Sequence, residues 1–484
     1  MSEQWRSMAS SKETFSFSIR IEVTSAYFNE LLTFIYERYI APHYERFSNV
    51  RRWIVDGREV LAFTLLDSAG RWAVDVEVEA GNPVKVRMTP TLGAVPRTVM
   101  QRLKDDIIIL IQLFEETIRR STLYFAWVKQ EGIVPERATQ GKRKVLTRIF
   151  FGNMLVLFLI FIALSYMVFL VFQEYTPIIL VLSQLVIVFF SDKIMMRLGD
   201  WRITPANPEV YILQYHIPKE EFHDFQRNYS REILLKIKRE IYERTIGAGF
   251  PITYEAVREV FSRYGVSCRP QNLLVKTVNL YGLVKEAAER FNMPVPKIMV
   301  SNVIVPNAAA TGPSPRRGLM IITSGLLIQL DEEEVLTVIG HEFSHLKGRD
   351  PLVLSTMFMT IYLLRVYVFW PFIFYFGFLY LLVEMSLLYF IAKFFEARAD
   401  LESAIKIRKP EVLATALRKI GFRKIQLERM PSSRIGGWLG MDPHPPISFR
   451  IARLESLRDV SEIKHPFIRS AIDSVKGLLA SLGV

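Results

Sequence analysis

The chain has 484 residues, half of them hydrophobic, and its mean hydropathy is +0.20, a balance that is unusual for a purely soluble protein. Its net charge of +12 comes without any DNA- or RNA-binding motif, which favours a membrane-facing surface over a nucleic-acid partner. The single cysteine, Cys268, excludes an intrachain disulfide and agrees with a reducing compartment, and we expect no cleavable signal peptide in the polar residues 1–12.

Residues 13 to about 127 are predicted to form an independent α+β domain. Apolar and polar residues alternate from Phe15 to Val23, which predicts a half-buried strand. Further strands are predicted over 60–66, 72–78 and 84–88, each bounded by turn residues. A long amphipathic helix from about Pro96 to Trp127 would cover the sheet. This order of elements is shared with helix-grip ligand-binding folds, and a linker at 128–144 would follow.

Two apolar stretches come next and predict a transmembrane hairpin. Ile149 to Phe172 contains no charge and is long enough to cross a hydrocarbon core of about 30 Å as a helix. The second stretch begins at Pro177 and reaches Met196 only by including Asp192 and Lys193. Its span is therefore short, with an interfacial end.

Leu352–Phe369 and Pro371–Lys393 form a second apolar pair, separated near Trp370. Arg365 and Glu384 interrupt them. Because Arg365 is five residues from the turn and Glu384 fourteen, a simple hairpin puts them at different depths, and we predict that they do not pair. A core hairpin of a large soluble protein is the alternative for this pair.

Basic residues flank the same end of both hairpins, whereas the short loop inside the first hairpin offers only Glu174. They are Lys142, Arg143, Lys144 and Arg148 before the first stretch, Lys193, Arg197 and Arg202 after the second, Lys347 and Arg349 before the third, and Lys393 and Arg398 after the fourth. Positive flanks mark the cytoplasmic side, so both termini are predicted to be cytoplasmic.

Helices are predicted between the hairpins at 219–243, 254–264 and 273–291. His216 and His223 stand near Glu220 and Glu221, which raises the possibility of a second metal site. Because Pro218 interrupts the start of the helix there, a surface turn is favoured over metal ligation.

The sequence His341-Glu342-Phe343-Ser344-His345 is an H-E-x-x-H motif. Asp331 can cap the helix with Glu334 at its third position, and Gly348 is a stop signal. Histidines at i and i+4 share one helix face, so both imidazoles can reach one Zn²⁺ while Glu342 takes a proton from the attacking water. The motif predicts metal-assisted hydrolysis of peptide bonds at the cytoplasmic face.

A catalytic zinc needs a third protein ligand, and Glu396, just beyond the fourth apolar stretch, is the best remaining donor. Asp400 lies one turn later on the same face, suited to accept a hydrogen bond from a ligating imidazole. The alternative is that Glu396 and Asp400 merely pair with Lys393 and Arg398 at the membrane surface.

Several motifs in one order resemble the HtpX-type membrane zinc metalloproteases, relatives of the CAAX prenyl endopeptidases. The resemblance covers roughly residues 275 to 457. Its motifs are Pro296–Val300, Pro306–Gly312, Thr323–Leu327, the H-E-x-x-H helix with Asp350 soon after, Glu396 with Asp400, His444-Pro445-Pro446, Arg450-Ile451 and Arg453-Leu454. An extra N-terminal domain and a longer segment before residue 275 depart from the common pattern.

The resemblance implies roles for individual residues. His341, His345 and Glu396 would bind one Zn²⁺ per chain, and Glu342 would be the general base and proton shuttle. Asn307 and His444 resemble positions that hold the substrate backbone or stabilise the oxyanion, beside an open strand edge near Ile304. Without the resemblance, Asn307 is a loop residue that caps a turn, and His444 packs on the surface.

The predicted fold class is a mainly α integral membrane metalloprotease, zincin-like with four transmembrane helices, carrying an N-terminal α+β soluble domain. Its predicted regions are the N-terminal cytoplasmic domain (1–140), the first hairpin (149–196), the first protease part (197–350), the second hairpin (351–393) and the second protease part (394–484).

The predicted function is cleavage of misfolded or damaged membrane proteins at the cytoplasmic face of the cell membrane. The predicted partners are protein or peptide substrates and the lipid bilayer, and the oligomeric state stays open. One alternative is a processing protease for lipidated or prenylated tails. The other is a non-catalytic, zinc-binding membrane receptor or scaffold, which the absence of a cysteine near the motif opposes.

Overall fold

A computed structural model describes residues 14–136, 154–429, 433–440, 442–457, 460 and 463–482. The chain divides into two compact units, Met1–Phe125 with Leu213–Lys276, and Ala126–Ile212 with Thr277–Val484.

The first unit contains a five-stranded antiparallel sheet. Its strands are β1 (Phe15–Ile19), β2 (Phe47–Val55), β3 (Arg58–Leu66), β4 (Ala73–Glu79) and β5 (Val84–Leu92). Their order is β1-β5-β4-β3-β2. The helices α1 (Phe28–Ile35) and α2 (Arg97–Arg119) share one hydrophobic core with the sheet, so the predicted α+β character of this region is confirmed.

Two predicted boundaries and two missed strands in this region need correction. The first strand ends at Ile19 instead of Val23, and the long helix ends at Arg119 instead of Trp127. Strand β6 (Thr122–Val128) follows that helix, because its aromatic and β-branched residues suit a strand that is buried on both faces. Strand β2 was not predicted, since a register shift between Ser48 and Arg51 breaks its alternation.

Residues 213–276 of the first unit carry the helices α6 (Lys219–Asn228), α7 (Arg231–Arg244) and α8 (Tyr254–Arg263). The helix predicted at 219–243 is therefore two helices, because Tyr229 has extended backbone angles and the side chain of Ser230 caps α7. The predicted helix at 273–291 begins as a strand, β9 (Leu273–Asn279), and continues as α9 (Leu280–Phe291), which the side chain of Asn279 caps.

A surface turn was favoured at His216, and this was wrong. His216 is the last residue of strand β8 (Glu209–His216) and is buried, with Nδ1 2.7 Å from Oγ1 of Thr122. Burial lowers its pKa to about 4, which keeps the imidazole neutral. A second sheet of three strands has the order β6-β8-β9.

The second unit contains a four-stranded sheet of order β11-β12-β10-β7. Its strands are β7 (Trp201–Ile203), β10 (Lys297–Ser301), β11 (Ala308–Thr311) and β12 (Leu319–Thr323). Strands β10 and β12 are parallel and the other pairs are antiparallel. Strand β11 is an edge strand, four residues beyond the edge that was predicted near Ile304.

The rest of the second unit is helical. The helices are α3 (Met154–Phe172), α4 (Thr176–Phe189), α5 (Ser191–Met196), α10 (Ser324–Gln329), α11 (Glu332–Gly348), α12 (Asp350–Tyr367), α13 (Trp370–Ile407), α14 (Pro410–Glu428), α15 (Ser433–Leu439), α16 (Ile447–Glu455) and α17 (Pro466–Leu482). The fourth apolar stretch and the segment with Glu396 thus belong to one long helix, α13.

Among the described residues, two helical stretches are long and apolar enough to span a membrane, Ile162–Phe189 and Trp370–Ile407. Gln173, with φ +45°, breaks the first between α3 and α4. Apolar side chains on both are widely exposed, as with Phe378 at 82%, a surface that suits lipid better than water. The predicted start of the first span at Ile149, and Lys142, Arg143, Lys144 and Arg148, lie outside the described residues.

Arg365 and Glu384 were predicted to be unpaired, and this was wrong: their side chains approach to 3.6 Å. The backbone at Phe376 is non-helical (φ −130°, ψ 29°), so residues 370–375 do not add their full helical length to the depth of Glu384. The rings of Phe369 and Tyr380 are 6.0 Å apart, which places these two residues at one level. Arg365 and Glu384 each lie about one turn from that level and therefore meet.

Candidate metal centre

Helix α11 places the two histidines of the H-E-x-x-H motif on one face. Its capping box is the predicted one, with Asp331 accepting from the backbone N–H of Glu334 and Glu334 accepting from that of Asp331. The helix ends at Gly348, and Arg349, which follows it, has a left-handed backbone. Four apolar residues bury one side of the helix, namely Val335, Leu336, Val338 and Ile339.

Close packing of α11 against α13 brings the third donor to the histidines. A Cβ atom at Gly340 would lie 2.7 Å from Ile407 and 2.8 Å from Ser403, so a larger residue would push the helices apart. The hydroxyl of Ser403 also donates to the backbone oxygen of Thr337 at 2.7 Å. The residue before His341 must therefore be small for Glu396 to reach the motif.

The donor atoms of His341, His345 and Glu396 all lie within 4.8 Å of one another. The two Nε2 atoms are 3.1 Å apart, and the Glu396 oxygens are 3.5 Å and 3.3 Å from those of His341 and His345. Ligand atoms that lie 2.0–2.1 Å from a tetrahedral zinc ion would be separated from one another by roughly 3.4 Å. Oε2 of Glu396 is buried and has no hydrogen-bond partner among the described residues. These residues fit a zinc ion.

An aspartate contacts the Nδ1 atom of each imidazole, on the side of the ring away from the cluster. Nδ1 of His341 is 3.0 Å from Asp400, and Nδ1 of His345 is 2.7 Å from Asp350. These contacts leave Nε2 of both rings directed at the cluster, as a metal ligand requires.

An arginine in turn holds each aspartate. Arg450 donates to both oxygens of Asp400 at 2.7 Å, and Arg398 donates to both oxygens of Asp350 at 2.8 Å and 2.6 Å. All four residues are buried. The predicted alternative for Arg398, a surface pair with Glu396 or Asp400, is not the contact observed. Lys393 instead donates to the backbone oxygen of Gly440 at 2.8 Å.

The carboxylates around the histidines favour positive charge at the centre. Burial opposes protonation of His345, but its hydrogen bonds to Asp350 and Glu396 outweigh burial and raise its pKa to about 10. The pKa of His341 is also raised, because Asp400 and Glu396 overcome the same effect of burial. A metal cation must displace these protons, so metal affinity falls as the pH falls.

The other predicted site residues are in three places. Glu342 is buried on α11, near enough for its charge to raise the pKa of His345. His444 is half exposed, with Nε2 3.7 Å from Glu396 and Nδ1 3.0 Å from Asp442. Asn307 precedes the edge strand β11, where its backbone bonds to Thr323, and β11 packs against α11.

The contacts of Arg398 with Asp350 and of Arg450 with Asp400 were not predicted, although Asp350 and Arg450 belong to the family motifs and Arg398 lies between Glu396 and Asp400. Asp350 follows the end of α11 and returns to His345 only because Arg349 adopts a left-handed conformation. Arg450 lies 50 residues after Asp400, so the packing of separate helices creates this pair. The single aspartate five residues after the second histidine, Asp350, was the available signal.

Asp350→Asn should weaken zinc binding about 10- to 100-fold, the usual cost of losing a carboxylate behind a metal-ligating histidine. The amide keeps the shape but removes the charge that fixes the His345 tautomer. Competition titration of the purified protein with a zinc chelator measures the change. Asp473→Asn is the matched control, since Asp473 also binds arginines but touches neither histidine, and it should stay within about twofold. Equal affinity in the two variants would contradict this role of Asp350.

Comparison with known proteins agrees with this geometry. Residues 276–458 match the model of peptidase family M48. A protease HtpX homolog of Thermodesulfovibrio yellowstonii is 32% identical over 212 residues, which cover 37% of this chain and 74% of the relative. The chain belongs to peptidase family M48. Its HtpX homologues also include one from Desulforapulum autotrophicum, 33% identical over 208 residues that cover 36% of this chain and 67% of that protein.

This membership confirms the predicted resemblance and makes the chain an HtpX-type metalloprotease. The matched residues of the M48 protease contain the H-E-x-x-H motif, Glu396, Asp400 and His444. They also contain the four residues that hold the histidines, and they exclude the five-stranded sheet of the first unit. The M48 region therefore carries the whole candidate metal centre.

Proposed function

We propose that this M48 protease is an integral membrane, zinc-dependent endopeptidase that removes misfolded or damaged membrane proteins at the cytoplasmic face. The observation that carries the proposal is the convergence of His341, His345 and Glu396, with Glu342 next to the first histidine. In this proposal His341, His345 and Glu396 hold one zinc ion per chain. The proposed division of the chain into an N-terminal domain, two hairpins and two protease parts follows the predicted regions.

Zinc bound there would lower the pKa of a water and polarise the scissile carbonyl. Glu342 accepts the proton of the attacking water and then passes it to the leaving amine, so one carboxylate serves both halves of the reaction. His444 and Asn307 are proposed to stabilise the oxyanion and to hold the substrate backbone. An extended substrate would add to the free edge of β11, where backbone groups are unpaired within the sheet.

Four membrane-spanning helices are proposed from the two apolar pairs. Two helical stretches are long and apolar enough to span a membrane. Helix α12 packs beside α13 and would be the other helix of the second hairpin. Arg365 and Glu384 pair with each other, which lowers the cost of two charges at membrane depth. The basic residues Lys193, Arg197 and Lys347 flank the apolar helices on the side of the protease segments and support a cytoplasmic active site.

The quality-control role is tested by comparing one membrane protein with a destabilised variant of itself. In proteoliposomes, the protease should cleave the destabilised form at least about tenfold faster, because only unfolded segments can add to the edge strand. Cleavage is followed on gels under identical conditions. Equal cleavage of both forms would contradict a quality-control role and leave a sequence-specific processing protease as the better account.

A further inference from the structure

An apolar cavity of about 470 Å³ lies in the second unit, beside the edge strand β11. Its walls are the last turns of α4 with Phe190, together with Pro313 and Leu352 of α12. None of the lining side chains is charged or polar. A polar group entering the cavity would lose its hydration without a replacement, so the cavity favours an apolar occupant.

The wall of the cavity begins two residues after the end of the edge strand. Strand β11 ends at Thr311, and Pro313 is already part of the cavity wall. Gly312 between them has φ +146°, and a Cβ there would lie 2.4 Å from the backbone oxygen of Arg317. From Asn307 to Pro313 is six residues, or roughly 20 Å of extended chain. A peptide paired with β11 and continuing past Thr311 therefore reaches the cavity.

A polar clamp fixes the cavity relative to the sheet. Asp192 is buried just after the end of α4, and its carboxylate is 3.1 Å from Arg317 and 3.5 Å from Lys297. Arg317 also donates to the backbone oxygen of Phe189 at 3.0 Å, and its guanidinium carbon is 4.6 Å from the Phe189 ring centroid. These contacts thus fix the distance between the apolar wall of the cavity and the edge strand.

We propose that this cavity is a substrate subsite that takes an apolar side chain about six residues from the residue held at Asn307. The inference rests on the proposed protease function and names its substrate class: extended segments that directly adjoin an apolar, membrane-spanning stretch. Apolar side chains of α4 are exposed up to the cavity, so a stretch leaving the bilayer reaches it without crossing water. Cleavage is then set at a fixed distance from the membrane end of the substrate.

Two fluorogenic peptides test the subsite with the full chain in detergent. They share one cleavage sequence, and one carries Leu and the other Ser at the position that reaches the cavity. The kcat/KM of wild type should be about tenfold higher for the Leu peptide than for the Ser peptide, because the Leu peptide has the lower KM. Val188→Trp, which fills the cavity, should reduce this ratio about tenfold. Val171→Trp is the control, since Val171 is 71% exposed on α3 outside the cavity, and it should leave the ratio unchanged.

The possible outcomes separate the explanations. A wild-type ratio near one, or an unchanged ratio in Val188→Trp, would overturn the subsite. A lipid chain in the cavity would make Val188→Trp slow both peptides equally, which also overturns it. Failure of wild type to cleave either peptide or casein would instead contradict the proposed function. If Val188→Trp does not fold, a photoactivatable phenylalanine at the same peptide position should crosslink to wild type at Phe189 or Pro313, and crosslinks elsewhere would reject the inference.

Discussion

Glu342→Gln should reduce proteolysis about 100- to 10,000-fold, because an amide can neither accept the proton of the attacking water nor return it to the leaving amine. Glu342 is buried on the metal helix beside His341, and the amide has nearly the same volume, so the helix should keep its packing. The rate of casein cleavage by the purified full chain measures the loss.

Glu333→Gln is the matched control for this substitution. Glu333 lies on the same helix but is exposed and pairs with Lys409, away from the histidines. Its substitution should leave the casein rate within about twofold. Wild-type activity in Glu342→Gln would remove Glu342 from the mechanism, whereas equal losses in both variants would indicate damage to the helix.

Glu396→Ala should lose most of its zinc, with the metal-to-chain ratio falling from about one towards zero and casein cleavage falling with it. Two histidines on one helix do not make a catalytic zinc site, and Glu396 is the one carboxylate that approaches both Nε2 atoms in the described part of the chain. Elemental analysis after purification in zinc-containing buffer measures the ratio.

Glu402→Ala serves as the control for Glu396→Ala. Glu402 lies on the same helix and contacts α11 through Ser344 and Lys347, without touching either imidazole. It should bind zinc like wild type. Full zinc content in Glu396→Ala would exclude it as a ligand and would point to another donor, such as His444, whose Nε2 is 3.7 Å from Glu396.

Local features of the metal helix could be predicted from the sequence because they depend on residues three or four apart. The capping by Asp331 and Glu334 and the shared face of His341 and His345 are of this kind. Glu396 is far from the two histidines in the sequence, but it directly follows an apolar stretch that is long enough to span a membrane. The resemblance of its motif to the family then indicated its role as a ligand. The structure then brought its carboxylate to the two imidazoles.

Features that arise from packing between helices could not be predicted. Arg398 and Arg450 are ordinary basic residues in the sequence, and only the folded chain turns them onto Asp350 and Asp400. The pairing of Arg365 with Glu384 depends on the interrupted backbone at Phe376. Gly377 follows it, but one glycine in an apolar helix does not by itself fix a break there.

Helix and strand were confused where apolar runs were short. Residues 122–127 and 273–279 were both assigned to helices that they adjoin, although both segments lie in strands. Periodicity does not distinguish helix from strand over six or seven residues. The β-branched residues of both segments, together with the aromatic residues of the first, were the better guide.

The three-residue cluster is proposed to hold a zinc ion, and Glu342 is proposed to act on the water beside it. The most direct test is the zinc content of the same Glu342→Gln sample that is used for casein cleavage. We expect about one zinc per chain together with the loss of cleavage. Cleavage at the wild-type rate, or a wild type that cleaves casein after its zinc has been removed by a chelator, would contradict the account.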